Sequence, residues 1–144
     1  MDRRTMSEIK RISPAEAETK LAEGYTYVDV RTEVEFHEGH PSGAYNVPGP
    51  AGQQPNPDFM RVMNANFARD ARIVVGCRSG GRSQRAAHAL VEDGYINVFD
   101  QRAGWDGVRD QFGQLQEPGW SRLGLPTEKG TPNGRSYADL KSKT

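Results

Sequence analysis

A single cysteine, Cys77, lies where several residue types that could support nucleophilic chemistry meet in this 144-residue chain. It follows the apolar run Ile73–Gly76 and opens a polar, glycine-rich segment that continues to Ser83. A helical pattern follows over 84–91. A thiol at the end of a strand, before a turn and a helix, is placed where α/β proteins bind their ligands. These residues indicate cysteine chemistry on an anionic substrate.

Three features around Cys77 favour the thiolate, although a free thiol is mostly protonated at neutral pH. A helix that starts after the turn directs its positive N-terminal end at the segment. Gly80 and Gly81 allow successive backbone amides to face one point, as an anion-binding nest requires. Arg78 and Arg82 add positive charge, and such surroundings are typical of reactive cysteines. The alternative interpretation is that Cys77 is a small buried apolar residue.

Composition restricts the class of protein and its partners. The 19 basic and 19 acidic residues give a formal net charge of zero, so we expect no nucleic acid and no membrane surface as the main partner. No apolar run approaches the roughly 20 residues that span a bilayer, and the charged first ten residues lack the apolar centre of a secretory signal. We therefore expect a cytoplasmic protein. One cysteine cannot form an internal disulfide, and with three histidines it makes no convincing zinc site, so we expect no metal or other cofactor.

Helix signals and β-rich runs alternate along the chain. Ser13 and Thr32 each begin a capping-box pattern that predicts a helix. Further helices are predicted over 58–67, 83–93 and 105–112, and strands over 25–30, 44–47, 72–76 and 95–100. This alternation predicts an α/β fold with a parallel sheet covered on both faces. Ligands bind such sheets at the carboxyl ends of the strands, where Cys77 and the segment Asp29–Arg31 both fall.

The segment Cys77–Ser83 resembles the active-site loop of the rhodanese family, the thiosulfate and related sulfurtransferases. The flanking sequence is similar to two further family patterns, DVR…E(Y/F)…GH…GA.N.P and W…GLP, at Tyr27–Arg31, Glu35–Phe36, Gly39–His40, Gly43–Pro48, Gly119–Trp120 and Gly124–Pro126. The resemblance implies a single rhodanese-like domain over residues 9–127, with a central parallel five-stranded sheet and helices on both faces. We expect residues 1–8 to be flexible and residues 128–144, which have few apolar anchors, to be loosely ordered.

Two parts of the chain depart from the family pattern, and the first is that Pro41 follows His40 where the family usually has an aliphatic residue. Ala103–Gly104–Trp105 stands where the family usually has Gly-Gly before its last Trp, yet Trp120 precedes the Gly-Leu-Pro segment. An insertion between Trp105 and Trp120 would reconcile both.

The resemblance implies that Cys77 is the catalytic residue. Its thiolate attacks the outer sulfur of a donor such as thiosulfate, releases sulfite and keeps the sulfur as a persulfide, which a nucleophilic acceptor then removes. Substrate binding is assigned to the remaining loop residues, Arg78, Ser79, Gly80, Gly81, Arg82 and Ser83, and support of the active edge to Asp29, Arg31 and Glu35. A structural alternative applies to two of them, because Arg82 could pair with Glu35 or Asp29 and Ser83 could cap the helix.

Loop length separates the related chemistries. The loop has six residues from Cys77 through Arg82, the length that sulfurtransferases use, whereas the related cell-cycle phosphatases and arsenate reductases have one more. We therefore expect a sulfurtransferase whose partners are a small anionic sulfur donor and a cyanide or thiol acceptor, with a protein as a further sulfur acceptor. The alternatives are a persulfide relay module for a protein partner and a cysteine-dependent phosphatase or arsenate reductase.

Overall fold

The computed structural model describes residues 9–144 and is built around a five-stranded sheet whose strands are all parallel. Its members in chain order are β1 Arg11–Ile12, β2 Thr26–Asp29, β4 Tyr45–Asn46, β5 Arg72–Gly76 and β6 Asn97–Gln101. They lie side by side in the order β1-β6-β5-β2-β4. Two antiparallel pairs stand apart from this sheet, β3 His40–Pro41 with β9 Thr127–Glu128 and β7 Gly107–Arg109 with β8 Leu115–Pro118.

Helices cover both faces of the sheet, so the predicted α/β class and layering are confirmed. They are α1 Pro14–Ala22, α2 Glu33–Glu38, α3 Phe59–Asn66, α4 Gly81–Glu92 and α5 Tyr137–Lys141, with a 3-10 turn at Trp120–Arg122. One face packs α3, α4 and α5 on Val28, Ile73 and Val75. The opposite face packs α1, α2 and the 3-10 turn on Tyr27 and Val74. Consecutive strand residues contact opposite faces because side chains alternate in direction along a pleated strand.

Local sequence explains where the first helices begin. Ser13 accepts a hydrogen bond from the Glu16 amide while the Glu16 carboxylate accepts one from the Ser13 amide, and Thr32 forms the same reciprocal pair with Glu35. Both capping boxes that the sequence predicted are therefore formed. They satisfy amides that have no partner within the helix.

The predicted helix over 105–112 is wrong, because this part of the chain forms the β7–β8 hairpin. Gly107 and Gly113 take positive φ angles of 129° and 81°, which do not continue a helix. The Asp110 carboxylate accepts hydrogen bonds from the amides of Phe112 and Gln114 and so closes the turn. The hairpin occupies the segment between Trp105 and Trp120.

The segment 128–144 differs from the loosely ordered tail that was expected. Tyr137 and Leu140 lie three positions apart on α5, so both side chains face the sheet and are buried in its core. Asn56 donates to the Tyr137 hydroxyl at 3.0 Å, and Asn66 donates to the Leu140 carbonyl at 2.9 Å. Two apolar side chains at helical spacing were enough to anchor it. The flexibility expected for residues 1–8 concerns a segment outside the described residues.

Between residues 9 and 144, none of the helices has the length and apolar character needed to cross a membrane.

Candidate functional site

Cys77 follows β5 directly, at the centre of the sheet's carboxyl edge. The Val30 amide donates to the Gly76 carbonyl at 2.9 Å, which keeps the ends of β2 and β5 together. A side chain at Gly76 would collide with the hydroxyl of Tyr27, so a glycine is needed before the cysteine. The Cys77 side chain is buried, with 2% of the residue exposed.

The cysteine sulfur accepts one hydrogen bond from its own loop and lies within donor distance of the Ser83 hydroxyl. The Gly80 amide donates to Sγ over 3.1 Å, and Sγ lies 3.5 Å from the Ser83 hydroxyl oxygen. Helix α4 begins at Gly81, two residues earlier than predicted, because Gly80 takes a φ of 99° and turns the chain into the helix. The N-terminal end of a 12-residue helix is therefore aimed at the sulfur.

A buried turn holds the loop from behind. The Trp105 amide donates to the Cys77 carbonyl at 2.8 Å, and the Asp106 amide donates to the Arg78 carbonyl at 3.0 Å. The amides of Arg78 and Ser79 belong to the same peptide units as these two carbonyls. Because the C=O and N–H of a trans peptide point in opposite directions, both amides face away from this turn. The Gln101 side chain fixes the turn by accepting from the amides of Ala103 and Gly104, each at 2.8 Å. A side chain at Gly104 would collide with the carbonyl oxygens of Cys77 and Arg78, so this turn needs a glycine at that position.

The two loop arginines have different environments. Arg82 forms a two-point ion pair with Glu35, with N–O distances of 2.8 and 3.0 Å, which is one of the structural alternatives considered for it. Burial raises the pKa of Glu35, but the hydrogen bonds from Arg82 and Thr32 outweigh burial and hold it at about 2. Arg78 is exposed, and no acidic side chain pairs with it in the described part of the chain. Arg78 is thus the cation that remains available to a ligand.

Asp29 and Arg31 form a buried pair at the end of β2. The Arg31 guanidinium donates to both carboxylate oxygens of Asp29 at 2.7 to 3.1 Å and to the Gly39 carbonyl at 2.6 Å. Its charged end also lies 5.1 Å from the centre of the Trp105 ring. These contacts connect the end of β2 to Gly39 and to Trp105, and the supporting role expected of Asp29 and Arg31 stays a prediction. Ser79 is exposed, and its hydroxyl makes no hydrogen bond to any residue in 9–144.

Two cavities adjoin the loop, and Arg78 and Glu35 border both. The larger, about 630 Å³, lies between α2 and the loop after β4 and is also lined by Val30, Thr32, Val34, Pro48, Gly49, Ala51, Gly52, Gln53, Gln54 and Arg82. The smaller, about 250 Å³, is also lined by Arg31, Glu38, Trp105, Asp106 and Ser121. The chain therefore offers space on either side of a free cation.

Asp100 and Arg11 belong to the site but were not predicted from the sequence. The Ser83 hydroxyl donates to Asp100 Oδ1 at 2.6 Å, and Arg11 Nε lies 2.7 Å from Asp100 Oδ2. The alternative that Ser83 caps α4 is wrong, because the N-cap residue of α4 is Gly80. No side-chain hydrogen bond caps this end of the helix. Asp100 could have been found as a site residue, because it is the polar residue that ends the strand predicted over 95–100. Nothing local marked Arg11, which lies 66 residues before Cys77 in the chain.

No group of three or more His, Cys, Asp or Glu side chains within 9–144 is arranged to hold a metal ion.

The amino-acid sequence matches the profile of the Rhodanese-like domain over residues 13–111. The chain belongs to the rhodanese-like domain family. It is 39% identical over 121 residues to thiosulfate sulfurtransferase 16, chloroplastic, of Arabidopsis thaliana, covering 81% of this chain and 91% of that protein. It is 32% identical over 120 residues to thiosulfate sulfurtransferase GlpE of Haemophilus influenzae, covering 83% and 94% of the two chains.

The fold is also similar to that of a solved structure. The crystal structure of Rv0390 from M. tuberculosis superimposes with a TM-score of 0.72 at 28% identity, over 84% of this chain and 98% of that one. The rhodanese-like family and fold that the loop and its flanking sequence indicated are thereby confirmed.

Proposed function

We propose that this chain is a rhodanese-type sulfurtransferase that moves a sulfane sulfur from thiosulfate, or a similar anionic donor, to a nucleophilic acceptor. The observation that carries the proposal is the placement of Cys77 Sγ, which accepts a hydrogen bond from the Gly80 amide at the start of α4, in a loop whose Arg78 has no acidic partner among residues 9–144. The similarity to proteins named thiosulfate sulfurtransferase supports it.

The proposed reaction has two sulfur-transfer steps. The Cys77 thiolate attacks the outer sulfur of thiosulfate, a new S–S bond forms, and the old S–S bond breaks with its electron pair leaving on sulfite. The persulfide that remains carries one negative charge, which the loop amides and the N-terminus of α4 stabilise. Cyanide or a thiolate then attacks the outer persulfide sulfur and returns Cys77 to the thiolate.

Donor and acceptor are assigned to different features of the site. We assign the anionic donor to Arg78, because Arg82 is already neutralised by Glu35. The cavity of about 630 Å³ is far larger than thiosulfate and has apolar wall residues such as Val34 and Pro48, which suits a larger thiol acceptor.

A persulfide relay to a protein partner is the second candidate. Phe112, at the turn of the β7–β8 hairpin, is 81% exposed, so a protein that bound at this turn could cover a large aromatic side chain. The base of this hairpin holds the Arg78 carbonyl through Asp106. Weak saturation and slow turnover with thiosulfate and cyanide would favour the relay over the small-molecule enzyme.

Intact mass spectrometry after incubation with thiosulfate tests the proposal. We expect the protein to gain the mass of one sulfur atom and to lose it on addition of cyanide. The Cys77→Ser variant should gain nothing, because Cys77 is the only cysteine in the chain. A sulfur gain that persists in this variant, or its absence in the wild type, would contradict the proposal. Efficient hydrolysis of an aryl phosphate without thiocyanate formation would instead identify a phosphatase.

A further inference from the structure

A chain of short contacts leads from the nucleophile to a buried carboxylate and from there to Arg11. Cys77 Sγ lies 3.5 Å from Ser83 Oγ, Ser83 Oγ lies 2.6 Å from Asp100 Oδ1, and Asp100 Oδ2 lies 2.7 Å from Arg11 Nε. Ser83 and Asp100 are each 0% exposed. Arg11 also donates to the Gly80 carbonyl at 3.0 Å, so it holds the loop and the carboxylate together.

The direction of the Ser83 hydroxyl follows from its neighbours. A hydroxyl has one proton, and three acceptors lie near it: Asp100 Oδ1 at 2.6 Å, the Gly80 carbonyl at 3.3 Å, and Cys77 Sγ at 3.5 Å. A short O–H···O⁻ bond is the strongest of these, so the proton points at Asp100 while Asp100 is ionised. A lone pair of Ser83 Oγ then faces Cys77, where it can accept the S–H hydrogen.

We propose that Asp100 takes the proton of the Cys77 thiol through the Ser83 hydroxyl, so that the thiol and the carboxylate share one titrating proton. The Cys77 S–H bond breaks with its electron pair staying on sulfur, and the proton moves to Ser83 Oγ. The proton that Ser83 held moves to Asp100 Oδ1. The products are a thiolate and a neutral carboxylic acid, and the Ser83 hydroxyl now donates to Sγ. This inference names how the nucleophile of the proposed function is activated, and it rests on that function.

Asp100 is suited to the role by its burial. Burial raises the pKa of Asp100 above its ordinary value, although the hydrogen bonds from Ser83 and Arg11 oppose the shift. A carboxylate that water does not reach accepts a proton more readily than an exposed one. A neutral Asp100 also removes a negative charge from beside the thiolate, because the ionisation of one of these two acids opposes the ionisation of the other.

The other charged and titratable groups near the pair keep one charge state around neutral pH. Arg11, on β1, is paired with Asp100. Arg82, on α4, is paired with Glu35, whose hydrogen bond raises the pKa of the guanidinium further. Tyr27, on β2, is buried, and this burial raises its pKa far above the ordinary range. Asp29 and Arg31, at the end of β2, are paired with each other. Among these neighbours within residues 9–144, the shared proton therefore belongs to Cys77 and Asp100.

The ultraviolet absorbance of the thiolate, recorded against pH, tests the inference without any sulfur transfer. Cys77 is the only cysteine, so the difference between the wild type and Cys77→Ser reports its thiolate and cancels the tyrosines. We expect two steps in the wild type. The first is loss of one proton from the pair, which leaves a fraction of thiolate on a plateau, and the second is loss of the shared proton at higher pH.

Two variants should reduce this curve to one step. Ser83→Ala removes the connecting hydroxyl, so we expect the thiolate fraction at the plateau pH to fall about tenfold, as the loss of a hydrogen bond to a charged group predicts. Asp100→Asn removes the proton acceptor. Ser83→Thr, which keeps a hydroxyl, should restore both steps, and Ser79→Ala, in the same loop, should keep them.

A single step in the wild type would overturn the inference, as would two steps that persist in both Ser83→Ala and Asp100→Asn. If Asp100→Asn fails to fold, the carboxyl ¹³C shift of Asp100 in the wild type provides the second measurement. We expect it to show a protonated acid after persulfide loading, and an ionised carboxylate there would contradict the proposal. A protein that gains sulfur from thiosulfate but titrates in one step has the proposed function without the proton transfer from Cys77 to Asp100.

Discussion

Two arginines in one loop show how strongly the surroundings decide a residue's role. Arg78 and Arg82 lie four positions apart and carry the same charge. Arg82 is committed to Glu35, and this pair links α4 to the start of α2. Arg78 lies between the two cavities with its guanidinium unpaired by any acid among residues 9–144. We therefore expect one arginine to act on the substrate and the other on the structure.

Kinetics and unfolding of two alanine variants should separate these roles. In Arg78→Ala we expect KM for thiosulfate to rise about tenfold, since a charge-assisted contact to the donor is lost, while the free energy of unfolding changes by less than about 0.5 kcal/mol. In Arg82→Ala the free energy of unfolding should fall by about 1–2 kcal/mol, because the partly buried Glu35 loses its partner. The assignment is wrong if Arg78→Ala destabilises the protein as much as Arg82→Ala.

The junction between loop and helix is the element on which the site depends. Gly80 is in the left-handed region, and a side chain there would collide with the Arg102 carbonyl and lie 2.7 Å from the Arg11 guanidinium. Gly81, the next residue, has open space where a side chain would be. Adjacent glycines therefore have different reasons to be present, since one turns the chain and the other merely starts α4.

Alanine substitution at each glycine should show this difference in thermal or denaturant unfolding. We expect Gly80→Ala to lower the free energy of unfolding by about 2–4 kcal/mol, from backbone strain and the clash together. Gly81→Ala should change it by less than about 1 kcal/mol, since helices accept alanine well. Equal effects of the two substitutions would mean that the loop does not need the left-handed turn.

At the scale of the whole molecule, segments far apart in sequence support one loop. β1 supplies Arg11, the turn after β6 supplies the amides of Trp105 and Asp106, and α2 supplies Glu35. The C-terminal helix α5 completes the core on the face where α3 and α4 pack. Its contribution is global stability, because its buried side chains contact the core and not the cavities.

Leu140→Ala tests whether α5 is part of the domain. Leu140 is 1% exposed, so we expect the substitution to lower the free energy of unfolding by about 2–4 kcal/mol, from lost burial and the cavity left behind. Leu123→Ala is the matched control, because Leu123 is 43% exposed and should cost less than about 1 kcal/mol. A loosely ordered tail would instead make the two substitutions equally mild.

Sequence patterns formed by neighbouring residues predicted the local structure well. The two capping boxes, the strand Arg72–Gly76 and the glycine-rich turn before α4 were all visible, because each depends on residues within a few positions of one another. The helix predicted over 105–112 is wrong. The spacing of a few apolar side chains favoured a helix there, but two glycines and an aspartate close a hairpin turn instead.

The family, the parallel α/β sheet and the place of Cys77 at the end of its central strand can all be predicted from the amino-acid sequence. The pairing of Arg82 with Glu35, the absence of an acidic partner for Arg78 among residues 9–144, and the contact of Ser83 with both the sulfur and Asp100 are visible only in the folded chain. A strand end or a helix cap is specified by adjacent residues, whereas the partner of a polar side chain is selected by the packing of strands and helices distant in sequence.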